Sequence, residues 1–94
     1  MEIESEKDLE RKLNSGVKKL GGLSFKFVPQ LISGIPDRII LLPGGRIFFA
    51  EIKTTKKKPR KLQTFWINKI RKLGFRVEVI DTSEQIDKIL TEYE

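Results

Sequence analysis

The longest apolar part of the chain is a pair of short runs between Gly34 and Lys53 (GIPDRIILLPGGRIFFAEIK), joined by a Gly-Gly turn. Short runs rich in β-branched and aromatic residues on either side of a turn predict the two antiparallel strands of a β-hairpin. Successive side chains of a strand point to opposite faces, so Glu51 and Lys53 share one face of the second strand. A carboxylate and an ammonium at the end of so apolar a strand are costly to hold there, which indicates a functional role.

The length of the hairpin loop decides whether Asp37 joins Glu51. A two-residue Gly-Gly loop would leave these two carboxylates on opposite faces of the sheet. A three-residue Pro-Gly-Gly loop pairs Leu42 with Arg46 and sets Asp37 directly opposite Glu51. Three-residue loops commonly hold a glycine in the left-handed region, and Gly45 can supply it. We therefore expect the three-residue loop, or a bulge of the same parity.

The segments on either side of the hairpin predict three helices and two more strands. The first helical pattern extends from about Ile3 to Leu20, and a capping box formed by Ser5 and Asp8 predicts a helix start at Ser5 or slightly earlier. The remaining predicted elements are a strand over Ser24–Val28, a loop over Gln30–Pro36, a helix from Pro59 to Leu73, a strand over Phe75–Ile80 and a final helix from Ser83, which is its candidate cap.

The predicted order of elements is therefore α-β-β-β-α-β-α. A helix between the second hairpin strand and the last strand can serve as a crossover connection, which makes these two strands parallel. We expect an α/β fold in which helices flank a four-stranded mixed sheet. The length of 94 residues fits one domain over residues 1–94.

Two helical patterns leave alternatives open. On the first helix, Glu6 falls near the middle of the apolar stripe and Glu10 on its rim. Glu6 either reaches a polar site beside the sheet or lies in a first turn that is open to solvent. On the second helix, Phe65 and Trp66 favour the core or a dimer contact over a platform for stacking bases. The predicted apolar stripe of that helix consists of Leu62, Phe65, Trp66, Ile70 and Leu73.

Composition narrows the chemistry that the chain can perform. The sequence contains neither Cys nor His, which excludes disulfides, thiolate sites, zinc enzymes and His-based triads. Any metal must then be held by oxygen ligands, which favours Mg²⁺ or Mn²⁺. No apolar stretch approaches the roughly 20 residues of a membrane span, and no signal-peptide pattern is present, so we expect a cytoplasmic protein, or a nuclear one in a host with a nucleus.

Basic residues outnumber acidic ones by 19 to 13, which gives a net charge of +6 and favours nucleic acid as the partner. Solubility alone is the alternative explanation of this charge. The segment from Lys53 to Lys61 (KTTKKKPRK) holds six basic residues and no acidic one. We interpret it as a surface that follows DNA phosphates rather than as a solvated loop. The candidate DNA-binding residues are Lys56, Lys57, Lys58, Arg60 and Lys61.

Two facing carboxylates, Asp37 and Glu51, make a hard anionic site that suits a divalent cation. The backbone carbonyl of Ile52 is placed to add a third oxygen ligand. Lys53 can orient a water molecule and offset phosphate charge, as metal-dependent hydrolysis of a phosphodiester requires. Glu6 can add a ligand if the first helix packs beside the strand ends, with Glu10 as the alternative.

Asp37 followed by Glu51-Ile52-Lys53 resembles the PD-(D/E)XK nuclease signature, and Pro36 completes its first dipeptide. Over nearly the whole chain, the order and spacing of further motifs resemble the VRR-NUC domain family, and most closely its short stand-alone phage and bacterial members. These motifs are Gly21-Gly22, Lys26, Gly34-Ile35-Pro36-Asp37-Arg38, Pro43-Gly44-Gly45, Phe49-Ala50-Glu51-Ile52-Lys53, Gln63 and Lys72-Leu73-Gly74-Phe75.

The resemblance implies a restriction-endonuclease-like core, cleavage of DNA with Mg²⁺ or Mn²⁺, and a homodimer that resembles Holliday junction resolvases. It also implies that Asp37, Glu51, Lys53, Gln63 and, less directly, Glu6 form the catalytic set. Gln63 would bond the attacking water or the scissile phosphate. The alternatives are a non-catalytic DNA-binding module on a nuclease fold, and a nuclease that prefers flaps, nicks or linear duplex.

Overall fold

The computed structural model describes residues 5–26, 33–53 and 59–94. The order of helices and strands is the one that the hydrophobic pattern predicts. The elements are α1 (Glu6–Lys19), β1 (Leu23–Lys26), β2 (Arg38–Leu42), β3 (Arg46–Ile52), α2 (Lys61–Lys72), β4 (Arg76–Ile80) and α3 (Ser83–Thr91).

The four strands form one mixed sheet in the order β1-β2-β3-β4. The first three strands are antiparallel neighbours, and β4 lies parallel to β3 after the connection through α2. Leu42 pairs with Arg46, so the hairpin loop contains three residues, as predicted. Gly45 has a φ of 73°, which is the left-handed conformation that such a loop needs.

The main core lies between one face of the sheet and the helices α1 and α3. Helix α1 begins where the sequence indicates, because the Ser5 side chain accepts a hydrogen bond from the Asp8 backbone N–H. Helix α3 is capped one residue earlier than expected, at Thr82. The buried core residues are Leu9, Leu13, Val17, Ile40, Leu42, Phe48, Ala50, Ile52, Ile80, Ile86 and Ile89.

Helix α2 packs on the other face of the sheet, against β4, and its orientation differs from the predicted one. Its buried residue is Ile67, whereas Leu62 and Phe65 are exposed and Trp66 is half-buried. The prediction of the buried side of this helix was therefore wrong: the helix is rotated about its axis so that Ile67 faces the sheet. The helix contacts the edge strand β4, which offers too narrow a surface to cover every apolar side chain of α2.

Within the described ranges, no helix combines the length and the apolar character that crossing a membrane requires.

Candidate active site

The hairpin register places Asp37 and Glu51 together. Arg38 pairs with Ala50 at the end of the β2–β3 ladder, so Asp37 and Glu51 are the next residues along the two chains. Alternation along β3 sends the Glu51 side chain to the face opposite that of the buried Ala50, and Asp37 directly precedes β2 beside it. The two carboxylates interact electrostatically, and the Asp37 backbone donates a hydrogen bond that Glu51 accepts.

Both carboxyl groups are harder to ionise than free ones. The Glu51 side chain is buried, with the residue only 7% exposed, and desolvation raises its pKa to about 6. The charge of Asp37 contributes to this increase in the Glu51 pKa, whereas Lys53 opposes it. Desolvation also raises the pKa of the half-buried Asp37, against the attraction of Lys26 and Arg38. The pair is therefore a partly desolvated concentration of acidic groups with basic side chains near it.

Lys53 lies beside this pair, as the strand alternation predicts. Its Nζ is 4.0 Å from Oε2 of Glu51, at the limit of an ion pair. Its backbone N–H donates to the Ile80 carbonyl at 2.9 Å, which fixes the end of β3 against β4. The ammonium is thus held on a rigid strand end next to the carboxylates.

Gln63 lies in the first turn of α2, half-buried. Its side-chain oxygen accepts a hydrogen bond from the Arg60 backbone N–H at 2.9 Å. The group of this side chain that can still donate is therefore its NH₂. Gly34 holds this turn close to the loop before Asp37, because a Cβ on Gly34 would lie 2.9 Å from Leu62 Cγ and 3.0 Å from the Leu62 backbone.

The two glutamates of α1 lie in different surroundings. Glu6 is exposed, and its charge acts on Glu51. Glu10 instead forms ion pairs with Arg38 at 3.2 Å and with Lys26 at 3.6 Å. Glu10 is therefore engaged by two cations, and Glu6 keeps its place as the candidate helix-one carboxylate.

Arg38 is a site residue whose role sequence reasoning missed. It is 4% exposed, and its guanidinium donates to Asn14 and Ser24, each at 3.0 Å, as well as to Glu10. A buried arginine directly after Asp37 was visible in the motif, but its partners on α1 and β1 follow only from the tertiary structure.

The donor set fits a hard divalent cation through the neighbouring carboxylates of Asp37 and Glu51. The Ile52 carbonyl stays a predicted further ligand. Among residues 5–26, 33–53 and 59–94, no group of three or more His, Cys, Asp or Glu side chains is close enough to hold a metal ion. A cation there would therefore have two protein carboxylates as ligands, and water or phosphate would complete its coordination, as is common for Mg²⁺.

The basic segment is described only at its end. Arg60 and Lys61 are exposed at the start of α2. Lys56, Lys57 and Lys58 lie outside the described residues.

A small mixed sheet with paired carboxylates and a lysine at its strand ends is an arrangement suited to nucleases that act on phosphodiesters. The VRR-NUC domain model matches residues 4–84, and the chain therefore belongs to the VRR-NUC domain family.

Two individual comparisons agree with this family. The chain is 38% identical over 90 residues to a protein named "Putative nuclease p44" from Acyrthosiphon pisum secondary endosymbiont phage 1, and the match covers 96% of each protein. A solved structure of a VRR-NUC domain superposes with a TM-score of 0.87 at 32% identity, covering 95% of this chain and 97% of the other. Together these findings support a hydrolytic nuclease, with DNA as the implied substrate.

Proposed function

We propose that the chain is an endodeoxyribonuclease that depends on Mg²⁺ or Mn²⁺ and hydrolyses phosphodiester bonds in branched DNA. The single observation that carries this proposal is the convergence of Asp37, Glu51 and Lys53 at neighbouring strand ends, with the Glu51 pKa raised to about 6. A concentration of negative charge beside a lysine favours binding of a cation and contact with a phosphate.

Asp37, Glu51 and the Ile52 carbonyl would hold the cation, which when bound supplies a more acidic water and a polarised phosphate. Lys53 orients the attacking water and offsets the negative charge that develops on the phosphate. The NH₂ group of Gln63 donates to a phosphate oxygen or to that water. Glu6, whose carboxylate is exposed, would hold a water molecule of the bound cation rather than serve as a direct ligand.

The proposed DNA surface continues from the site onto Arg60 and Lys61, which are both exposed, and includes Lys56, Lys57 and Lys58 as sequence-based candidates. Contacts of this kind supply affinity without reading sequence. Selectivity would then come from DNA shape, which is consistent with a preference for junctions over uniform duplex.

A homodimer is part of the proposal because one face of the sheet is only partly covered. Large apolar side chains on the α2 side remain exposed on β1, on β3 and directly before β4. These are Leu23, Phe25, Ile47 and Phe75. A second copy that covers them would place two sites on two strands of a branched DNA, as the twofold symmetry of most dimers allows.

Cleavage of a labelled four-way junction, a flap, a nicked duplex and a linear duplex with Mn²⁺ tests the proposal. We expect the junction to be cut fastest, and Asp37→Asn and Lys53→Ala to slow cutting by at least about 100-fold. Lys88→Ala, which removes an exposed lysine from α3, is the matched control and should cut normally.

Three results would count against this proposal. Cutting that survives in Asp37→Asn or Lys53→Ala would exclude this site. Binding without any cutting by the wild type would instead indicate a DNA-binding module. A monomer at high concentration in light scattering would contradict the dimer.

A further inference from the structure

The solvent side of α2 carries an unusual combination of side chains. Residues three or four positions apart lie on the same side of a helix, and five residues of α2 share one side in this way. That side is opposite to the buried Ile67. All of its members are exposed. We call it the lysine–phenylalanine face, and it consists of Lys61, Phe65, Asn68, Lys69 and Lys72.

Phe65 is an exposed aromatic residue on a helix face that is otherwise polar, and contact with solvent alone gives no reason for an aromatic ring there. It is 53% exposed, although aromatic residues usually bury their rings. Trp66 meets its ring edge-to-face at a centroid distance of 5.2 Å, and Lys69 Nζ lies 5.8 Å from the ring centroid. Together with Asn68 and Lys72, Phe65 and Lys69 line a depression of about 210 Å³. The ring is therefore supported from one side and open on another.

The charge of α2 matches that of DNA. The helix contains three lysines and Arg71 but no acidic residue (KLQTFWINKIRK). At 1.5 Å per residue, Lys61 and Lys72 are separated by about 16 Å along the axis, close to the length of five base pairs. The lysines of α2 begin beside the proposed active site. The first turn of α2 packs against Gly34, which lies three residues before Asp37.

We propose that the lysine–phenylalanine face binds DNA at an unpaired nucleotide, with the Phe65 ring stacked on the exposed base and the lysines on the flanking phosphates. Aromatic rings between cations are a common platform for single-stranded nucleic acid. A second copy of the chain is the less favourable occupant, since packing this face against itself would bring two sets of lysines together. The inference rests on the proposed nuclease function and adds a contact with the DNA forms that carry unpaired nucleotides, such as flaps and gapped duplex, whereas a four-way junction is paired throughout.

Binding measured in EDTA separates this inference from catalysis, because no cutting occurs without metal. Fluorescence anisotropy would compare a continuous duplex with the same duplex interrupted by a gap of a few unpaired nucleotides. We expect the wild type to prefer the gapped DNA by about tenfold, the effect of stacking one base. The preference should vanish in Phe65→Ala and Phe65→Leu and persist in Phe65→Trp, which keeps an aromatic ring.

Two further variants test the parts of the face separately. Lys69→Ala should weaken binding to both DNAs by the same factor, because phosphate contacts do not distinguish them. Leu73→Ala is the matched control, since Leu73 follows the same helix and is exposed but lies off the face. It should leave the preference unchanged.

A preference for gapped DNA that persists in Phe65→Ala would overturn the inference. Loss of the preference together with dissociation of Phe65→Ala into monomers would also overturn it, since the face would then be a subunit contact. Failure of the wild type to cut any DNA with Mn²⁺ would contradict the proposed nuclease function. The binding comparison in EDTA does not depend on cutting and would still test the base contact of Phe65.

Discussion

Nη2 of Arg38 lies 3.2 Å from Oε2 of Glu10, which ties the strand residue after Asp37 to the middle of α1. The same guanidinium donates to Asn14 on α1 and to Ser24 on β1. One buried side chain thus joins three elements next to the proposed catalytic carboxylate. Because a buried cation without a partner is costly, this network fixes where α1 lies relative to the strand ends.

The two α1 glutamates should therefore respond differently to neutralisation. Glu10→Gln should lower the free energy of unfolding by about 1–3 kcal/mol, because it weakens the partner of a buried arginine. Glu6→Gln should change stability little and slow Mn²⁺-dependent cutting. Urea denaturation and a cleavage assay on the same two proteins check both expectations. The reverse pattern would assign the helix-one carboxylate to Glu10.

Gly34 is expected to be essential for the position of α2. Its φ of 90° favours glycine, and an added Cβ would meet Leu62 at 2.9 Å. Gly34→Ala should therefore lower the free energy of unfolding by about 2–4 kcal/mol and slow cutting, because Gln63 is displaced with the helix.

Gly45→Ala is the control for backbone strain alone. Gly45 also has a positive φ, of 73°, but an added Cβ would meet no atom within 4 Å among the described residues, apart from its two chain neighbours. It should lose only about 1 kcal/mol and keep its activity. Equal effects of the two substitutions, measured by thermal and urea unfolding, would show that contact with Leu62 does not matter.

Glu51 should reduce the stability of the metal-free protein at neutral pH. Its pKa rises from 4.5 to about 6 on folding, so the folded state binds the proton more tightly than the unfolded state. The resulting stabilisation is fully present below pH 4.5 and is lost as the pH rises through about 6. At pH 7 the ionised group then costs on the order of 2 kcal/mol.

Glu51→Gln should accordingly raise the free energy of unfolding at pH 7 in EDTA by about 1–2 kcal/mol, with little difference from wild type at pH 4. Urea denaturation at the two pH values measures this difference. Glu84→Gln, which neutralises an exposed glutamate on α3, controls for the loss of one charge. A destabilised Glu51→Gln protein at pH 7 would contradict the electrostatic description of the site.

The hairpin could be predicted because its evidence is local. The period-2 alternation fixes which side chains of β3 share a face, and the Pro-Gly-Gly loop fixes the pairing of Leu42 with Arg46. From those two facts the approach of Asp37 to Glu51 follows. The parallel pairing of β3 and β4 could also be predicted, because the helix between these two strands serves as a crossover connection.

The environment of Arg38 and the orientation of α2 could not be predicted in this way. Arg38 is a charged residue at a strand position whose side chain points into the core. Its partners Glu10, Asn14 and Ser24 belong to α1 and β1, and the sequence does not specify how these elements pack. Helix α2 contains apolar residues on more than half of its circumference, so its periodicity does not determine which of them a single edge strand buries. Exposure of Phe65 follows from this packing, and the proposed DNA contact of α2 depends on it.

The central claim is that Asp37 and Glu51 together hold a divalent cation. Calorimetric titration of Mn²⁺ into the wild type, Asp37→Asn, Glu51→Gln and the control Glu84→Gln at pH 7.5 tests it most directly. We predict binding to the wild type and to Glu84→Gln, and no detectable binding to the other two variants. Absence of binding to the wild type, or binding that persists when either carboxylate is neutralised, would contradict it.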